Sequence, residues 1–148
     1  MNGEAVFLYV EDDRNDVELV TTALHRQHAG RLHVVQDGQE AIDYLTGAGG
    51  FADRQEFPLP NVILLDLKMP RVDGFGFLKW INETAPAHLR RIPVVVMSSS
   101  GEPQDVNQAY DLGANCYMTK PVDWATFRER MKILGIFWSE CVETPVVS

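Results

Sequence analysis

The chain has 148 residues, 13 basic and 21 acidic, for a formal net charge of -8, with 45% apolar and 23% charged residues. That is the length of one domain, able to bury roughly two thirds of its unfolded surface, and so ordinary a composition excludes disordered, fibrous and disulfide-scaffold classes. The acidic balance, with no basic run to offset it, repels a phosphate backbone and argues against nucleic-acid binding.

Val6 to Val10 is a short apolar run ending in three acids, which suits a strand buried on both faces whose carboxyl end meets water. Even extended to Ala5 it is far short of the ~20 residues of a membrane span, and no basic segment precedes it, so the expected compartment is the cytoplasm. Val17, Val20 and Leu24, widened by Leu19 and Ala23, mark a first helix, with acids and Asn15 at its start. Leu32 to Val35 is a second strand, Asp37-Gly38 a turn, and Ala41, Ile42 and Leu45 a short helix stopped by Gly47. Residues 46 to 60, broken by Gly47, Gly49, Gly50 and Pro58, read as a long exposed loop. Asn61 to Leu67 is the strongest strand, with Asp66 within its end; Phe75, Leu78 and Ile81 mark a helix, and Pro93 to Met97 a fourth strand. Pro103, Val106, Ala109, Tyr110 and Gly113 outline a fourth helix, and Asn115 to Thr119 a fifth strand. Trp124, Phe127, Met131, Leu134 and Trp138 form an apolar stripe on a last helix, while Ile133, Ile136 and Phe137 lie off it and favour a partner surface.

Five strands alternating with five helices imply an α/β fold, a parallel sheet covered on both faces, with its ligand site beyond the carboxyl ends of the strands. Glu11, Asp12, Asp13, Asp66, Ser98 and Lys120 all fall at that edge. Singly, each has an ordinary explanation: helix cap, turn former, loop or surface lysine. Together they are a chemical set. Clustered carboxylates repel unless a cation sits among them, and Mg²⁺ is the ion that combines one or two carboxylates with phosphate and water. An aspartate beside such an ion can take a phosphoryl group, with Lys120 as a point charge and Ser98 as a hydroxyl donor to its oxygens.

Val-Glu-Asp-Asp at 10–13, Leu-Leu-Asp-Leu-Lys-Met-Pro at 64–70 followed by Asp73-Gly74, Val-Met-Ser at 96–98 and Tyr117-Met-Thr-Lys-Pro121 resemble, in order and spacing, the receiver domains of two-component response regulators. The resemblance implies a flavodoxin-like (βα)5 doubly wound sheet of strand order 2-1-3-4-5, one receiver over 1–148 with its core at about 4–138 and a tail at 139–148, and no output domain. It implies that Asp66 accepts a phosphoryl group from a histidine kinase and that Asp12, Asp66 and the carbonyl of Lys68 hold Mg²⁺. Glu11 would assist through water or as a partly occupied ligand, Lys120 would pair with the phosphoryl group, and Ser98 with Tyr117 would form the switch; Asp13 is a second-choice ligand.

The loop at 46–60, Asn115 to Tyr117 and Phe137-Trp138 resemble, more narrowly, the small receivers that serve bacterial phytochromes, which puts a bacteriophytochrome among the candidate kinases. Lys68 stands where that subgroup more often carries an amide residue. A homodimer through the carboxyl-terminal third is expected. Two other functions stay open. An aspartyl-nucleophile phosphatase would want a second carboxylate where Lys68 stands, and a phosphorylation-independent pseudo-receiver would not need the site residues. Gly74-Phe-Gly76 lacks the third glycine of a dinucleotide loop and reads as turn chemistry. His25, His28, His33 and His88 share no ligand spacing, and Cys116 and Cys141 read as inert thiols in a reducing compartment.

Overall fold

The computed structural model describes residues 5–26 and 31–146, with side chains at all of these but His25 and Arg26. The expected start of the core at residue 4, His28 and the last two tail residues lie outside the described residues. The elements run β1 (Val6–Val10), α1 (Arg14–Arg26), β2 (Arg31–Val35), α2 (Gly38–Thr46), β3 (Val62–Leu65), α3 (Gly74–Glu83), α4 (Ala87–Arg90), β4 (Val94–Ser98), α5 (Pro103–Asp111), β5 (Cys116–Thr119) and α6 (Trp124–Ile136). The strands form one parallel sheet in the order β2-β1-β3-β4-β5.

Strand alternation sorts the core into two layers. Phe7, Tyr9, Val62, Leu64, Val95 and Met97 face α1 and α6, meeting Val20, Leu24, Phe127 and Met131. Leu8, Val10, Ile63, Leu65, Val94 and Val96 face the opposite way, onto Tyr44, Leu45, Phe77, Leu78, Leu89 and Ala109. With both faces covered, the central strands must be apolar throughout, which is how β1, β3 and β4 read. Each fully buried Leu, Ile or Phe contributes roughly 1.5–3 kcal/mol.

Several elements differ from the sequence expectation. Residues 46–60 are not an open loop: Gly49–Phe51 is a 3-10 turn, and Phe51 and Phe57 close an aromatic cluster on Tyr44 at centroid distances of 5.2 and 5.9 Å. Arg54 caps α2 from this segment, donating to the carbonyls of Tyr44 and Leu45 at 2.8 Å beside the Gly47 amide that already meets Tyr44 O at 3.3 Å, so the helix end is held by side chain and main chain together. Asp37 is the N-cap of α2 rather than a turn residue, accepting from the Glu40 amide. Asn61 and Asn115 precede their strands; their side-chain oxygens take the first amides of the neighbouring strands, Val6 at 2.7 Å and Val94 at 2.8 Å. Helix α4, four residues long, was not foreseen.

Trp124 does not face the core. It stands 57% exposed at the start of α6, with the Arg128 guanidinium 4.8 Å from its ring centre, in a first turn whose residues 124–126 are all exposed and whose burial begins at Phe127. At the other end α6 runs into a π-helical turn, Phe137–Cys141, so regular structure extends past the expected boundary at 138. The wider turn changes the angular step between residues: Trp138 packs onto the inner layer while Phe137 stays 46% exposed. The tail beyond is tied back, with Asn61 Nδ2 donating to Thr144 Oγ1.

Candidate functional site

Strand order reverses between β1 and β3, and at this point a parallel sheet opens a crevice at its carboxyl edge. The ladder places the residues there. Val10 pairs with Leu65, and the hydrogen bonds from Glu11 N to Val35 O and from Asp66 N to Val10 O carry the pairing one residue past each strand. Glu11 and Asp66, both buried, therefore stand side by side, with Asp66 just after β3 rather than within it. Asp12 is exposed above them. Glu11, Asp12 and Asp66 each bring a carboxylate oxygen within 4.8 Å of the others.

Lys120 reaches the same point from β5, whose last backbone bond, Lys120 N to Ser98 O at 2.7 Å, sets it beside Ser98. Its Nζ lies 2.6 Å from Glu11 Oε1, 2.8 Å from Asp16 Oδ2 and 3.4 Å from Asp66 Oδ1. Glu11 is fixed from below as well: the hydroxyl of buried Tyr9 donates to Oε1 at 3.1 Å and the Asp13 amide to Oε2 at 3.3 Å.

The electrostatics show an excess of negative charge. Burial, which outweighs the hydrogen bond from Lys120, pushes Glu11 up to about 7, and burial likewise raises Asp66 against the pull of Lys120. Burial works against the ammonium too, yet the bonds to Asp16 and Glu11 hold Lys120 above the ordinary lysine range. One ammonium thus pairs with three carboxylates, Glu11, Asp16 and Asp66, and Asp12 stands beside two of them. Glu11, Asp12 and Asp66 form a compact set of hard oxygen donors, so the residues present fit a small divalent cation such as Mg²⁺ or Mn²⁺.

Asp13 is occupied elsewhere: it caps α1, its Oδ1 accepting the amides of Asn15 and Asp16 at 2.8 and 3.2 Å. Lys68 is exposed on the loop after Asp66. Gly74 is not a turn residue but the first of α3, and its reason is contact: a Cβ there would lie 2.5 Å from Asp66 O and from Leu67 Cα. Ser98 is buried at the end of β4, and its Oγ accepts the Ser100 amide at 3.1 Å. The Tyr117 hydroxyl donates to Ser100 O at 2.7 Å, so Ser98 and Tyr117 are connected through Ser100 rather than to each other.

The family model for the response regulator receiver domain matches residues 7–132. The chain belongs to that family. Response regulator Rcp1 of Synechocystis sp. is 35% identical over 145 residues, covering 97% of this chain and 95% of that protein. The crystal structure of the phosphorylated cyanobacterial phytochrome response regulator RcpA superposes with a TM-score of 0.89 at 34% identity, over 97% of this chain and 100% of that one. The Mn²⁺-bound form of Rcp1 gives 0.86 at 35% identity, over 96% and 99%. Receivers of this family are typically switches rather than enzymes, and they bind Mg²⁺ or Mn²⁺ at an acidic pocket.

Two receiver residues escaped the sequence reading. Asp16 reads as one more acid favouring a helix start, yet it bonds Lys120 across the site; its place three residues after the cap Asp13 was the available signal. Ser100 sits in a Ser-Ser-Ser run that looks like plain loop, but its hydroxyl bonds Asp105 Oδ2 at 2.5 Å in the first turn of α5. His33 is half-buried between Tyr44 and Phe57. Among the described residues, no helix of the receiver is long and apolar enough to cross a membrane.

Proposed function

We propose that this receiver is a cytoplasmic, Mg²⁺-dependent phosphoryl-accepting switch in which Asp66 is the acceptor. The observation that carries the reading is the approach of Glu11, Asp12 and Asp66 to within 4.8 Å, with Lys120 Nζ 3.4 Å from Asp66. Glu11, Asp12, Asp66 and the Lys68 carbonyl would hold the metal, which when bound neutralises charge on the transferring phosphoryl oxygens. An Asp66 oxygen bonds to phosphorus as the bond from phosphorus to the donor nitrogen of a histidine kinase breaks. Lys120 then offers an N–H to a phosphoryl oxygen. Ser98 is drawn toward the new acceptor oxygens, its hold on the Ser100 amide loosens, and Tyr117, anchored to Ser100, is freed to turn inward.

A bacteriophytochrome as the kinase is supported by the likeness to RcpA, a cyanobacterial phytochrome response regulator. A homodimer through the carboxyl-terminal third is supported by the exposed Ile133, Ile136 and Phe137 beside edge strand β5. The phosphatase reading loses support because a lysine, Lys68, stands two residues after Asp66, where its second carboxylate would be needed.

Acetyl phosphate with Mg²⁺ is expected to add one phosphoryl group to the wild type and none to Asp66→Asn, read by intact-mass spectrometry. A mutant that labels at the wild-type rate would overturn the assignment.

A further inference from the structure

We propose that Asp16 is a positioning residue for Lys120, which together with Glu11 anchors the ammonium so that its remaining N–H is presented to a phosphoryl group on Asp66. This rests on the phosphoryl-acceptor reading and adds a residue to it. An ammonium has three donors. Two are consumed by short charge-assisted bonds, 2.6 Å to Glu11 and 2.8 Å to Asp16, and the third faces Asp66 Oδ1 across 3.4 Å. Two short contacts and one slack one leave space on the acceptor side alone.

Lysine carries its charge on a flexible four-carbon stem, so one anchor leaves the head free to pivot and a second fixes it. Both anchors are themselves held: Glu11 by the Tyr9 hydroxyl and the Asp13 amide, Asp16 by a helix whose start is capped by Asp13. A first-turn acid that served only the helix dipole would need no lysine partner. Here the side chain reaches one that is only 11% exposed, and is itself 27% exposed.

Labelling with acetyl phosphate, which needs no docked kinase, is timed for Asp16→Asn in the wild-type and Lys120→Ala backgrounds. A group that acts through Lys120 slows the first about tenfold and the second less than twofold, and Asp16→Glu, which keeps the charge, recovers part of the rate. Equal slowing in both backgrounds, or an unchanged rate in the first, overturns the proposal. Where Lys120→Ala labels too slowly to time, the ¹⁵N signal of the Lys120 ammonium decides: loss of its slow proton exchange in Asp16→Asn supports the anchor, and an unchanged signal overturns it. Failure of the wild type to label, or labelling of Asp66→Asn, would instead overturn the acceptor reading and this inference with it.

Discussion

The glycine at 74 shows how closely a single atom is constrained near the acceptor. Its Cα lies against the backbone of Asp66 and Leu67, and a methyl group would have to displace main chain rather than a flexible side chain. Gly74→Ala is expected to cost about 1–3 kcal/mol, the usual range for overpacking, and to slow acetyl phosphate labelling, because the atom displaced is the Asp66 carbonyl oxygen. Urea unfolding and intact-mass kinetics measure the two effects; an unchanged midpoint would show that the start of α3 yields freely. At this scale the sequence was legible where a residue ends a strand. Asp66, Glu11, Ser98 and Lys120 stand at the ends of runs that read as strands, and as a set they point at one edge. Asp16, Ser100 and Gly74 were not legible, since each has a sufficient local explanation and only a contact across the fold supersedes it.

Helix α2 and the loop after β3 form the next level, and one ion pair joins them. Arg71, in a left-handed conformation with φ of 54°, gives Asp37 two bonds at 2.8 and 3.2 Å, and the Gly38 amide meets Val72 O at 2.7 Å. Burial favours the neutral acid at Asp37, but the bonds from Arg71 and from the Glu40 amide outweigh it and hold the group below its ordinary value of 3.8. The unfolded chain therefore binds this proton more readily than the folded one, so stability rises with pH across that interval. The contribution is complete above roughly pH 5 and is lost as the pH falls through the folded value. Asn keeps the capping oxygen but not the charge. Asp37→Asn is accordingly expected to flatten the acid limb of the urea midpoint against pH as the pH falls from about 5 past the ordinary carboxylate value; a limb as steep as in the wild type would place the acid sensitivity elsewhere. Of these elements the strands and principal helices could be read from periodicity. The segment 46–60 could not, because its order comes from Phe51, Phe57 and Arg54 meeting α2, and breakers alone signal only a turn.

Over the whole molecule, the question is what covers α6. Ile133, Ile136 and Phe137 are 60%, 37% and 46% exposed, and Ile133 and Phe137, with Cys116, Met118, Leu134 and Trp138, border a groove of about 500 Å³ beside edge strand β5. Only about half of each side chain is left to bury, so the three contribute roughly 2–4 kcal/mol per copy and about 4–9 kcal/mol for a pair, while association costs about 4–15 kcal/mol in lost rigid-body freedom. The exposed residues alone therefore give a weak pair. The groove walls must be covered as well to approach the ~8 kcal/mol of a micromolar dimer. A two-fold pairing does this, since each copy brings the apolar ridge and the groove that receives it. The Tyr117 ring stands on the opposite face of β5 from Cys116 and Met118, which line the groove, so a change at Asp66 that moves Tyr117 reaches the groove through the strand they share. Sedimentation at tens of micromolar is expected to show a wild type in monomer–dimer exchange, shifted by acetyl phosphate, and Phe137→Asp held as a monomer, because a carboxylate in a dry interface loses its water without a partner. A wild type that stays monomeric with and without acetyl phosphate would leave the ridge and groove of α6 to a different protein.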